Sequence, residues 1–164
     1  MTMCNVQPIT QTELFEALLE EEGIEYQKET DAYEATEYTI HTSALYVELT
    51  VYNTAVLEVE YTESLNRGSF SAGKELHKLF SLLKKLQSAG LQEIWATAGK
   101  GGSSQMVGYK VWYKMGFISN FGKKGTDQML EAFGVATVEE LCSTVEGRKL
   151  WNEKGFEYPI KYVL

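Results

Sequence analysis

The chain has 164 residues and a formal charge of −8, from 15 Lys and Arg against 23 Asp and Glu. That length suits one domain with its own core, and 44 % hydrophobic with 23 % charged residues argues against extended disorder. The acidity argues against non-specific binding to nucleic acid or to an anionic membrane, both of which need a basic patch.

No apolar run approaches the ~20 residues of a membrane span. The opening MTMCNVQPITQTE lacks a basic stretch followed by an apolar one, so no signal peptide is expected. The two cysteines, Cys4 and Cys142, form no CxxC and no Cys/His cluster, which leaves no disulfide framework and no zinc site to expect. The expected setting is the cytoplasm, with both thiols reduced.

In chain order, residues 11–22 carry Leu14, Phe15, Leu18 and Leu19 at helical spacing, with Thr10 and Glu13 as a capping box and Gly23 as the stop. From residue 36 the period changes to two. Leu45, Val47, Leu49 and Val51 alternate with polar residues, Asn53-Thr54 suits a tight turn, and Leu57, Val59 and Tyr61 alternate again. The pattern predicts a hairpin preceded by a strand near 36–42.

A loop then leads to a long helix from about Ser71 to Ala89, with Leu76, Leu79, Phe80, Leu83 and Leu86 on one stripe. Gly90 ends it and LQEIWATA reads as a strand, so 55–98 forms a strand–helix–strand unit with a parallel pair. A glycine-rich loop, Gly99 to Gly102, precedes a helix near 104–115 and a strand near 116–121.

Beyond Lys123-Lys124-Gly125, three short helices are expected over Asp127–Phe133, Thr137–Thr144 and Glu146–Glu153, with Thr137 and Glu140 as a second capping box. Tyr158, Ile160 and Tyr162 alternate, which suggests a last strand added to a sheet edge. This tail carries too much apolar surface to stay in water and is too short to bury it alone, so it must dock, with Trp151 as the anchor.

The run from Arg67 to Phe117 resembles the GNAT superfamily of acyl-CoA N-acyltransferases. The likeness rests on the strand AVLEVEYT, a small-residue loop, the helix KELHKLFSLLKKLQSAG, the strand LQEIWATA and, most specifically, GYKVWYKMGF. It implies an α/β fold with a mixed, mostly antiparallel sheet flanked by helices and a parallel pair split by a coenzyme loop. Residues 1–122 would form the acyltransferase domain and 123–164 a helical extension packed on it.

By the same resemblance, Arg67, Gly68, Ser69, Ser71, Ala72 and Gly73 would bind acetyl-CoA as co-substrate. Backbone N–H groups of such a loop and the positive end of the next helix suit a pyrophosphate. Counted from Arg67, the family's small-residue places fall on Phe70 and Ala72; counted from Gly68, they fall on Ser71 and Gly73.

Aminolysis of a thioester needs a base for the attacking ammonium and an acid for the leaving thiolate. Glu58 and Glu60 stand on the strand where the family places its base. The family's acid position holds Trp112, so Tyr109 or Tyr113 would have to substitute. Trp112 itself is expected to pack in the core or line a groove. His77 reads as a residue bordering the apolar stripe.

The expected function is acetyl transfer to a small-molecule or protein amine. The alternative is a catalytically inactive GNAT-like binding or structural protein, part of a larger assembly. Oligomerisation and the identity of the acceptor are left open.

Overall fold

The computed structural model describes residues 8–65, 71–98 and 109–164. Helix α1 (Gln11–Glu21) begins as its sequence requires, with the Glu13 N–H donating to the Thr10 hydroxyl at 3.2 Å. Its first turn is also fastened to the next layer. Gln11 Nε2 donates to the Thr54 carbonyl at 2.6 Å, and the Thr12 N–H donates to Asn53 Oδ1 at 3.1 Å. Gly23, at φ +66°, then reverses the chain.

Four antiparallel strands follow: β1 (Tyr26–Thr30), β2 (Thr36–His41), β3 (Leu45–Val51) and β4 (Val56–Ser64). β1 was not expected, because YQKET has no apolar alternation and four of its five residues are exposed. It is an edge strand held by its turn, where Asp31 Oδ1 accepts from the N–H groups of Tyr33 (2.8 Å) and Ala35 (3.0 Å).

Helix α2 (Ser71–Lys84) runs into a 3-10 turn over Lys85–Ala89 and stops at Gly90, φ +95°. All five residues of the predicted stripe, Leu76 to Leu86, are buried. Next come β5 (Glu93–Ala98), α3 (Tyr109–Lys114), β6 (Ile118–Ser119), α4 (Lys123–Phe133), α5 (Val138–Leu141), α6 (Val145–Lys154) and β7 (Tyr158–Val163). The Glu140 N–H donates to Thr137 Oγ1 at 3.1 Å, as the second capping box requires. The part of the third predicted helix over 104–108 lies outside the described residues.

The strands form one seven-stranded, mostly antiparallel sheet in the order β1-β2-β3-β4-β5-β7-β6, with β4 and β5 as the parallel pair. The fold is α/β. The last strand is not an edge addition: β7 lies between β5 and β6 and pairs with both. Pro159 is tolerated there because β6 has ended. The Asn120 N–H still donates to the Pro159 carbonyl at 2.8 Å, and the donor that proline lacks would have pointed to the same side.

One face of the sheet carries the core. Register runs Tyr38–Leu49–Val59–Ala96–Ile160 across five strands, and all five side chains are buried. Phe15 of α1 meets the Tyr38 ring edge-on at 5.1 Å, and Phe80 of α2 meets Tyr162 at 4.9 Å. Trp151 of α6, fully buried, packs against Tyr158 at 5.4 Å and Phe156 at 5.2 Å. The C-terminal segment therefore docks within the chain through β7, which pairs with β5; Trp151 packs on rings of that same segment. The expected flanking helices cover this face.

Glu16 binds α1 to the first hairpin. It accepts from Lys28 Nζ at 2.5 Å, Tyr38 OH at 3.0 Å and Tyr26 OH at 3.2 Å. Burial alone would push the Glu16 carboxyl up, but these donors and the Lys28 charge outweigh it and hold it below the usual carboxylate range. Burial and the Glu16 charge push the Tyr26 phenol up to about 12.

Two outcomes follow. Trp151→Ala is expected to cost about 3–5 kcal/mol, seen as a lower urea midpoint at unchanged slope. A cost under about 1 kcal/mol would show that the C-terminal layer stands outside the cooperative core. Because the Glu16 pKa is lower folded than unfolded, its stabilisation is complete above the unfolded value. It is lost as pH falls through the depressed folded one. Glu16→Gln should therefore flatten the acid limb of stability below about pH 4, and an unchanged acid limb in urea titrations would contradict this.

Candidate active site

The geometry of the central strands starts from one extra residue. β3 pairs Leu49 with Val59 and Glu48 with Tyr61, so Glu60 is unmatched and forms a β-bulge. The bulge moves Tyr61 off the face of Leu57 and Val59, where strict alternation had placed it. Thr62, 3 % exposed, takes the core position instead.

At the same point the parallel pair ends. β4 and β5 are in register only over Val56–Val59 and Glu93–Ala96. From Glu60 onward β4 pairs only with β3, and the end of β5 pairs only with β7. The two central strands part in the middle of β4, whose remaining residues run on to Ser64 before the segment that leads into α2.

The opposite face of the sheet has no helix over it among the described residues. A row of register partners, Glu37, Thr50, Glu58, Trp95, Lys161 and Ile118, crosses six strands on that face. Trp95 is 39 % and Ile118 47 % exposed. Both candidate bases, Glu58 and Glu60, open onto this face. Tyr52 OH donates to Glu58 Oε2 at 3.2 Å, and Thr50 Oγ1 donates to Glu60 Oε1 at 2.5 Å. Among the described residues neither carboxylate has an ion-pair partner. Exposure answers how two carboxylates sit on a central strand without a desolvation cost of several kcal/mol.

Tyrosine–glutamate pairs repeat along the same face. Tyr46 OH donates to Glu48 at 2.5 Å, and Tyr61 OH donates to Glu63 at 3.2 Å. The Glu48 hydrogen bond, burial and the Glu48 charge push the Tyr46 phenol up. Burial, then the neighbouring carboxylates, do the same to Tyr52 and Tyr61. These tyrosines were not singled out in the sequence. Their signal was alternation with glutamate along Tyr46–Glu48 and Tyr61–Glu63.

The other candidates are scattered. Arg67, Gly68 and Ser69 lie outside the described residues. Ser71, Ala72 and Gly73 form the first turn of α2, whose N–H groups have no acceptor within the helix, and a Cβ built on Gly73 would meet no atom of the described residues within 4 Å. Tyr109 opens α3. Tyr113, 60 % exposed, lies on the helix-bearing side, where it lines a cavity with Lys114, Val138, Glu139, Cys142, Arg148 and Tyr158. The structure brings Glu58 and Glu60 together and does not bring Tyr113 to them. Trp112 is buried, with its ring 4.9 Å from Phe117. His77 is exposed on α2.

Among the described residues, no group of three or more His, Cys, Asp or Glu could hold a metal ion, and no helix is long and apolar enough to cross a membrane. Loss of the Glu58 charge should let the Tyr52 phenol relax downward. An absorbance titration of tyrosinate in Glu58→Gln is expected to show one phenol ionising at lower pH than in the wild type. Identical curves would remove the Tyr52–Glu58 pair from the site.

Compared with known proteins, the chain matches no protein-family model and no curated protein.

Proposed function

We propose that the chain is an acyl-CoA-dependent N-acyltransferase of GNAT-like fold, moving an acetyl group from acetyl-CoA to an amine. The observation that carries this reading is the parting of β4 and β5 at the Glu60 bulge, on the strand that precedes α2. Separated parallel strands leave backbone donors free for an extended acyl chain. The N-terminus of α2, with no acidic residue in its first turn, suits the phosphates.

In this reading the amine approaches over the acidic face, where Glu58 or Glu60 removes its proton. The free amine then attacks the thioester carbonyl to form the C–N bond, and the C–S bond breaks as the nitrogen gives up its second proton and the thiolate takes one. Tyr109 is the candidate donor of the thiolate's proton.

A second reading has its own observation. Trp112, at the place where the resemblance puts the acid, is buried and has no acidic hydrogen, which favours a protein that binds acyl-CoA or a partner without turnover.

Calorimetry with acetyl-CoA, followed by a thiol-release assay over a panel of amines, separates the two. Binding with turnover is expected. Glu58→Gln or Glu60→Gln should lower the rate about 10²–10⁴-fold at unchanged acetyl-CoA affinity. Gly73→Glu, at a position where an added Cβ meets no described atom within 4 Å, should abolish binding while the fold stays intact. Binding without turnover supports the second reading, and no binding at millimolar acetyl-CoA removes the first.

A further inference from the structure

The cavity beside Tyr113 has a volume of about 270 Å³, the space of roughly nine water molecules. Val138 and Tyr158, both nearly fully buried, give it apolar walls. Its charges are unusual for a chain of net −8. Arg148, one of only two arginines in the sequence, lines it together with Lys114 from the last turn of α3.

Arg148 Nη1 donates to the Cys142 carbonyl at 2.9 Å, which anchors the guanidinium and leaves its other donors. Among the described residues neither Arg148 nor Lys114 has a carboxylate ion-pair partner. The one acid among the described lining residues, Glu139, is already engaged: Oε1 takes the Ser119 N–H at 2.6 Å, and Oε2 takes the Ser119 hydroxyl at 2.7 Å. The corner between α5 and α6 is tight as well. A Cβ on Gly147 would collide with the Leu141 carbonyl, so Arg148 is presented from a close-packed turn.

We propose that this cavity is a binding site for a small organic carboxylate with an apolar body. The carboxylate meets Arg148 and Lys114, and the body lies against Val138 and Tyr158. Among the described lining residues, two cations and one engaged carboxylate leave a single net positive charge, which matches a monoanion better than a phosphate dianion. The apolar walls select for a hydrocarbon portion, and a planar guanidinium accepts a carboxylate through paired donors. The site does not depend on acyl transfer, since neither Glu58 nor the α2 loop takes part.

Benzoate and hexanoate, titrated by calorimetry at constant ionic strength, are expected to bind at one site with a Kd on the order of millimolar. Benzamide, which keeps the ring and lacks the charge, is expected to bind at least about tenfold more weakly. Arg148→Met should lose about tenfold in benzoate affinity with an unchanged circular dichroism spectrum and melting transition. If that variant does not fold, the exposed Lys114→Met carries the test, with weaker benzoate binding and a shallower salt dependence. The proposal is overturned by absent saturable heat for both carboxylates, by equal affinity for benzamide, or by undiminished affinity in whichever of the two variants folds.

Discussion

A single unmatched residue in the fourth strand organises the middle of this sheet. With Glu60 bulged out, β4 bends and its alternation shifts by one, so that Thr62 rather than Tyr61 faces the core. The parallel ladder to β5 ends at the residue before it. A regular β4 would have kept pairing β5 along its length and closed the space between them. The bulge thus sets three things together: where the central strands separate, which face carries the tyrosine–glutamate pairs, and the placing of two carboxylates on a central strand in contact with water.

The arrangement of the helices has an equally wide effect. Buried side chains of α1, α2 and α6 meet the same face, the one carrying Tyr38, Val59 and Ile160. This divides the molecule electrostatically. The open face gathers Glu37, Glu48, Glu58, Glu60 and Glu63, and Lys161 is engaged there with Glu93 at 3.3 Å. The helix side holds the cavity with Arg148 and Lys114. Cations are drawn to one side of the sheet and a small anion to the other, although the chain as a whole is acidic.

Much of the architecture was legible in the residues. Stripes at helical spacing and alternation at strand spacing report burial directly, which is why α2, β3 and the cores of β4 and β5 stand where their patterns put them. Caps at Thr10 and Thr137 were equally readable, since a hydroxyl three residues ahead of an amide needs no distant partner. β1 was not legible, because an exposed edge strand carries no apolar signal and is held by an Asp31 turn and backbone pairing. The bulge was hidden for a related reason: YTES continues a plausible alternation, and only the partner strand reveals the extra residue.

The candidate site divides along the same line. Glu58 and Glu60 could be placed on one strand and one face from spacing of two, and the structure agrees. Tyr113 could not be placed, because a helix residue's position along the chain says nothing about which side of the sheet the helix covers. Nor could the cavity, which draws on α3, α5, α6 and β7 and has no local motif. By itself the sequence determined the apolar-patterned elements, the caps at Thr10 and Thr137 and the parallel unit, all consequences of contacts within a few residues or of hydrophobic period. Only the tertiary structure decided the insertion of β7 between β5 and β6, the open acidic face and the meeting of Arg148 and Lys114 at one cavity. Those depend on register and packing between segments far apart in the chain, where no local pattern records the partner.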